Sequence, residues 1–355
     1  MRIVMFGALD AAYPRNHVLR VGLQRLGVEV DLCAADPRQS FVRRYAHLAW
    51  NLRHVGRADA LLVPEFRHKD VPLARLAATF RGTDLIVDPL VSRHDTKVGD
   101  WRAAAPGSFQ SDHNHRIDRA ALRFADLVLC DTPQHAALFR RSCRVPASRC
   151  AVVPVGFDDA RWRMRPEPPS QPFRVAFFGS YLPLHGVETI VAAAERVPDV
   201  RWTLIGGGMT FSVVRDAMAR GVALEVVPWM DLESLVERLA AAHVLLGIFG
   251  TGAKAARVVP NKLYQGMALG RASITGDTPA VRSFFEPGRH LLLVPCGDAP
   301  ALADAVRRLR DDARLRANIA IAGAAHVHAS FSPEAIARRL LSAGQEVLGW
   351  RPHAA

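Results

Sequence analysis

The segment from Gly247 to Ala280, GIFGTGAKAARVVPNKLYQGMALGRASITGDTPA, restricts the fold more than any other part of the chain. An apolar run, His243 to Phe249, ends in Gly250-Thr251-Gly252, and a basic stretch with Lys254, Arg257 and Lys262 follows. The pattern then predicts a short helix from Lys262 to Leu269, closed by Gly270, where glycine takes a positive φ without a Cβ clash. Ala272 to Thr275 reads as a short buried strand, and Gly276-Asp277-Thr278-Pro279 as a loop opening another helix. Strand, glycine loop, cationic helix start, strand and helix start describe the carboxyl edge of a parallel sheet. That edge is where α/β proteins bind ligands.

The lysines point to the same place. The chain has four lysines (Lys69, Lys97, Lys254, Lys262) against forty-two arginines, and two of the four stand inside this segment. A compact ammonium suits a phosphate met as a point charge. The plainer alternative is a pair of solvated surface cations.

A chain of 355 residues exceeds one ordinary core and suits two domains. Its five cysteines (Cys33, Cys130, Cys143, Cys150, Cys296) form no CxxC pair, which points to free thiols in a reducing compartment. The opening MRIVMFGALDAAYP has too short an apolar run for a signal peptide, and no stretch reaches about 18 apolar residues. A cytoplasmic location is expected, with a peripheral position at the inner face of the membrane as an option. The net charge of +12 favours anionic partners. Nucleic acid is not expected among them, because no zinc-finger spacing, RNA-binding aromatic motif or basic zipper occurs.

The βαβ grammar runs twice. Arg2 to Phe6, a helix over His17 to Leu26, and Val28 to Cys33 open a doubly wound sheet. Residues 38–57 carry five arginines and no acid, interleaved with Phe41, Tyr45 and Trp50. Such a segment either lies on an anionic membrane surface or forms a helix with a basic outer face. The strand Asp84 to Asp88 runs into His94-Asp95, the best polar pair of the first half, and Asp126 to Asp131 is a further buried strand. The prolines from Pro166 to Pro172 mark a boundary. Past it, Arg174 to Phe178 ends in Gly179-Ser180-Tyr181-Leu182-Pro183-Leu184-His185-Gly186, a loop that presents a helix start to an anion. Arg201 to Ile205 ends in Gly206-Gly207-Gly208, where a backbone can approach a ligand closely. The organisation expected is a domain over 1–160, a linker over 161–172, a second domain over 173–332, and a terminal helix and tail over 333–355 that can return to the first domain.

The second half resembles the retaining nucleotide-sugar glycosyltransferases of the GT-B fold, family 4. The resemblance rests on FFGSYLPLHGVETIVAA (Phe177 to Ala193), WTLIGGG (Trp202 to Gly208), VVPNKLYQGMALGRASITGDTPAVRSFF (Val258 to Phe285) and HLLLVPCGDAPALADAVRRLRDD (His290 to Asp312). In the first half it rests on His94-Asp95 and DLVLCDT. It implies two Rossmann-like doubly wound domains facing across a cleft, a nucleotide diphosphate sugar as co-substrate, and no cofactor. No metal is implied either, which agrees with the lack of any DxD triplet. The acceptor implied is a lipid-linked glycan, a polysaccharide or a natural product.

The departures are specific. Where the family commonly has an Arg and a Lys on the diphosphate, this chain has Ser180 and His185, and where it has two glutamates eight residues apart, this chain has Arg257 and Gln265. A branch of the family carries PLHG and PNK-Y-Q as its normal forms. The resemblance then implies Lys262 and Arg257 stabilising the leaving diphosphate, with His94 and Asp95 reaching the sugar or the acceptor hydroxyl. Gln265 would meet the ribose. Gly179, Ser180, His185, Gly206, Gly207, Asn261, Gly276, Asp277 and Thr278 would complete the donor site. Two other readings stay open: a nucleotide-sugar epimerase in the same fold, and a non-catalytic nucleotide-sugar binding subunit.

Overall fold

A computed structural model describes residues 1–351. The backbone divides into two compact units, Met1–Gly156 with Phe331–Ala355, and Phe157–Ser330. Residues 352–355, the end of the polar tail, lie outside the described residues.

The first unit holds six parallel strands: β1 (Arg2–Gly7), β2 (Glu29–Ala34), β3 (Ala60–Val63), β4 (Asp84–Val87), β5 (Leu127–Cys130) and β6 (Cys150–Val152), in the order β2-β1-β3-β4-β5-β6. ALLV in β3 and LVLC in β5 are buried at every residue. Uninterrupted apolar runs of this kind are what a sheet covered on both faces requires. Helix starts follow local chemistry. The Thr132 hydroxyl accepts the His135 N–H at 3.1 Å, and Pro133 takes the first helical position, where no N–H is missed.

The terminal helix, Pro333–Leu348, packs on the helix Pro14–Arg25 in this same unit. Gly22 makes the approach possible, since a Cβ there would lie 1.9 Å from the Pro333 carbonyl oxygen. Arg25 pairs with Glu334 at 3.0 Å, and the Trp350 indole N–H donates to Asp84 at 2.8 Å.

The second unit repeats the plan with β7 (Arg174–Gly179), β8 (Arg201–Gly206), β9 (Leu224–Val227), β10 (Val244–Leu246), β11 (Ala272–Gly276) and β12 (Leu292–Val294), in the order β12-β11-β10-β7-β8-β9. Chain order reverses direction between β7 and β10. One face of the sheet buries Phe177, Trp202, Leu204, Val244 and Ile274 among the helices Val187–Arg196, Phe211–Ala219 and Ala299–Asp311. The segment 161–172, read from its prolines as a linker, lies against this unit. Trp162 is buried and stacks on Phe178, and the Arg271 guanidinium donates to the carbonyls of Arg165 at 3.1 Å and Pro166 at 2.6 Å. Both units are therefore doubly wound α/β folds.

Candidate active site

In an open α/β sheet a crevice forms where the connections from two neighbouring strands leave to opposite sides. In the second unit those strands are β7 and β10. The loop after β7 and the loop after β10 are joined backbone to backbone, with Phe249 N–H donating to the His185 carbonyl at 3.0 Å and Gly250 N–H to the Leu184 carbonyl at 3.1 Å. Gly186 (φ +63°) and Gly250 permit this, because a Cβ on either would strike the opposite backbone within 2.6 Å.

This joint fixes His185. Its ring is buried and Nδ1 accepts the Leu182 N–H at 3.2 Å, which leaves the proton of the neutral ring on Nε2. Burial, and then the charges of Lys262 and Lys254, hold His185 well below the ordinary histidine value of 6.5.

Lys262 comes from a different loop. It lies in the first turn of the helix Asn261–Ala268, whose later residues are all buried. Its ammonium sits 3.9 Å from the centre of the Phe177 ring and has no hydrogen-bond partner, and the residue as a whole is 7% exposed. Burial holds it well below the usual lysine value of 10.5. A cation in a helix's first turn also opposes the helix dipole, whose positive end is there, and no acid stands in that turn. Ammonium and helix start both call for an anion. Gly179 (φ +152°) completes the arrangement, since a Cβ on it would meet Lys262 Nζ at 2.8 Å and His185 Cε1 at 3.0 Å.

Lys254, also buried, puts its charge on His185 from the loop between β10 and that helix. Arg257 ends a single 3-10 turn, Ala255–Arg257, and is half-buried; Asn261 is half-buried and Gln265 buried, one turn beyond Lys262. Tyr181, which the sequence did not single out, holds a φ of +42° between β7 and His185. Its ring is buried, its hydroxyl has no hydrogen-bond partner, and burial pushes it up to about 12. A strained φ at a loop of this kind costs about 1–3 kcal/mol and marks functional sites.

Other expected members are engaged within the fold. A Cβ on Gly206 would lie 2.3 Å from the Gly179 carbonyl oxygen, and one on Gly208 1.8 Å from that of Ser180. These two glycines make room for the protein's own backbone, and Gly207 faces open space apart from Phe211 at 3.9 Å. Ser180 itself is exposed. Gly276 N–H donates to Ile248 at 2.8 Å and Asp277 N–H to Val294 at 2.7 Å, so neither amide is left for a phosphate. The Asp277 carboxylate pairs with Arg282 at 2.5 and 2.6 Å, and the Thr278 hydroxyl caps its helix through Val281 N–H at 3.3 Å.

In the first unit His94 and Asp95 lead into a π-helical turn, Asp95–Asp100. The residue organising them is Asp118, buried on the helix Phe109–Phe124. It accepts Ser92 Oγ–H at 2.7 Å, Arg93 N–H at 3.0 Å and His94 N–H at 3.0 Å. His94 Nε2 lies 3.0 Å from Ser111 Oγ, and the His115 ring meets it edge-on. A carboxylate at an apolar-face position, in register with Ala121 and Leu122, was the signal for Asp118 in the sequence. Among the described residues no helix is long and apolar enough to cross a membrane, and no group of three His, Cys, Asp or Glu could hold a metal ion.

Comparison with known proteins places this geometry. Residues 2–156 match the family described as glycosyl transferase 4-like domain, and residues 186–342 the family described as glycosyl transferase-like. No curated protein sequence matches the chain. Among solved structures, HepE of Anabaena in complex with UDP is similar at 16% identity and a TM-score of 0.72, over 96% of this chain and 98% of that one. HepE has also been solved with UDP-glucose. Sucrose-phosphate synthase of Thermosynechococcus elongatus is similar at 17% identity and a TM-score of 0.73, over 98% of this chain and 99% of that one. At such identities the likeness speaks for the fold, and the family matches speak for the chemistry. With two parallel six-stranded sheets, each covered by one of those matches over most of its length, the chain belongs to the glycosyltransferases of the GT-B fold.

Proposed function

We propose that the protein transfers a sugar from a nucleotide diphosphate donor to an acceptor hydroxyl, with retention at the anomeric carbon and without a metal ion. The observation that carries this reading is Lys262, a buried ammonium with no hydrogen-bond partner at the edge of the sheet, beside His185 and against Gly179. As the bond from the sugar to the diphosphate breaks, negative charge builds on the departing oxygens. Fixed positive charge in a water-poor site is usually the largest catalytic contribution. Lys262 and Lys254 supply it here, with Arg257 on the same segment and Nε2–H of His185 as a hydrogen-bond donor. Gln265 would hydrogen-bond the ribose hydroxyls, and His94 and Asp95 would meet the sugar or acceptor.

A UDP-sugar is the donor to try first, since HepE was solved with UDP and UDP-glucose. A lipid-linked acceptor is favoured by the helix Phe41–Leu52, where Phe41, Val42 and Trp50 are exposed beside Arg43 and Arg53. The test is incubation with UDP-, GDP-, ADP- and dTDP-sugars, following the melting temperature and release of the nucleoside diphosphate. Stabilisation with slow hydrolysis for one base is expected. Retention is read from the anomeric coupling constant of the product. No stabilisation by any of the four would overturn the reading, and stabilisation without hydrolysis or transfer would leave a binding subunit.

A further inference from the structure

We propose a second anion site in the same unit, at the opposite edge of its sheet from Lys262, which takes a small phosphate monoester between Arg174 and Arg201. Arg174 opens β7, Arg201 opens β8, and the two are register partners in the parallel ladder. Neighbouring strands lie about 4.8 Å apart, so the side chains leave the same sheet face side by side. Like charges so placed repel. Among the described residues neither guanidinium has an ion pair or a hydrogen bond.

Both line a cavity of about 620 Å³, within the range of small-ligand sites. Its floor includes Ala176 and Thr203, the next residues along the same strand faces. The other cations of the lining are engaged. Arg238 pairs with Glu225, Arg165 pairs with Glu237 at 2.7 Å, and Arg271 gives its N–H groups to backbone carbonyls such as Ala240 at 2.7 Å. Among the described residues, Arg174 and Arg201 are the two guanidiniums of the lining with neither a carboxylate nor a carbonyl partner.

A dianion neutralises both, whereas a monocarboxylate would leave one. Guanidinium forks also match the oxygens of phosphate in pairs. Pro168, Pro169 and Ala241 give the lining an apolar part on which the body of an ester can rest. The site is distinct from that at Lys262, because β7 runs from Arg174 to Gly179, about 16 Å along the strand.

The experiment is thermal unfolding of the full chain in sodium phosphate and in sodium chloride of equal ionic strength, for the wild type, R174Q/R201Q and K262M. Phosphate is expected to raise the melting temperature of wild type and K262M by about 3 °C at ten times its dissociation constant, and to raise that of R174Q/R201Q clearly less. In chloride the double variant is expected to be at least as stable as wild type, because the repulsion is gone, which separates loss of the site from misfolding. Phenyl phosphate should act at about tenfold lower concentration than inorganic phosphate, since a tenfold gain needs only about 1.4 kcal/mol from the apolar lining. An equal phosphate response in wild type and R174Q/R201Q overturns the site, as does a response lost only in K262M or absent from wild type. Equal potency of the two phosphates overturns the monoester.

Discussion

The Lys262 ammonium stands 3.9 Å from the centre of the Phe177 ring, with that π-face in place of a hydrogen-bond acceptor. A π-face gives a desolvated cation about 2 kcal/mol, against a desolvation penalty of several kcal/mol per ion. In the free protein Lys262 therefore costs stability. K262M is expected to melt above the wild type and to release nucleoside diphosphate about 10²–10³-fold more slowly. A K262M protein that is less stable and equally active would remove Lys262 from the site.

His185 predicts the acid side of the stability profile. Burial and two lysines hold it well below 6.5, so between 6.5 and that lower value the unfolded chain takes up a proton that the folded ring refuses. Stability falls as pH drops through this window, by up to about 1.4 kcal/mol per unit. H185Q should lose less stability than wild type between pH 7 and pH 5 in denaturant unfolding. Parallel losses would show that His185 takes no part in the acid response.

Nucleotide binding is expected to take up protons. Lys262 is depressed by burial in the free protein, and a diphosphate beside it favours the charged form. Calorimetry of UDP binding at pH 8 in Tris and in HEPES, whose ionisation heats differ, should give different apparent enthalpies for wild type and a smaller difference for K262M. Identical enthalpies in the two buffers for wild type would mean that binding does not change the protonation of Lys262.

Much of the second unit is legible in its sequence because strands buried on both faces are apolar runs, and glycines mark where each one ends. Lys262 stood out as one of four lysines among forty-two arginines. Its contact with the loop holding His185 did not, because that meeting is made by β7 lying next to β10, and strand order is not written in any local stretch. Glycines carry a double meaning. Gly206 and Gly208 signal a close approach, but the atoms approaching are the carbonyls of Gly179 and Ser180. Likewise the Gly276-Asp277 amides look available until the ladder of β11 and its neighbours engages them. Glu65 and Asp118 escaped notice because neither belongs to a motif, and their burial comes from elements far apart in the chain.

Glu65 gives a prediction of opposite sign to His185. It follows β3, is 1% exposed, and accepts Asn16 Nδ2–H at 2.9 Å through one oxygen while the other has no partner. Burial, and next the charge of Asp88, raise its carboxyl from 4.5 to about 8. Between those values the folded chain keeps a proton that the unfolded chain releases, so stability is lost as pH rises from 4.5 towards 8. E65Q keeps the acceptor for Asn16 and removes the titration. Its stability relative to wild type should therefore increase steadily from pH 5 to pH 8, and a difference that stays flat across this range would mean an ordinary carboxylate.

The pair Arg15–Asp88 predicts a loss confined to the first unit. Both side chains are fully buried, with Nε 2.6 Å from Oδ2, and Arg15 Nη1 also donates to the Val153 carbonyl at 2.8 Å and to that of Pro154. One guanidinium thus ties the helix Pro14–Arg25 to the end of β4 and to the chain leaving β6. Removing either charge leaves the other buried without compensation, which typically costs about 3–5 kcal/mol, whereas removing both costs much less. In calorimetry R15M should therefore bring forward the unfolding of the first unit, and R15M/D88N should recover part of the loss. The phosphate-dependent stabilisation of the second unit should persist in both variants, since Arg174 and Arg201 lie in that unit and Arg15 and Asp88 in the first. An R15M loss below about 1 kcal/mol would instead place the pair among the weak, solvent-compensated ones.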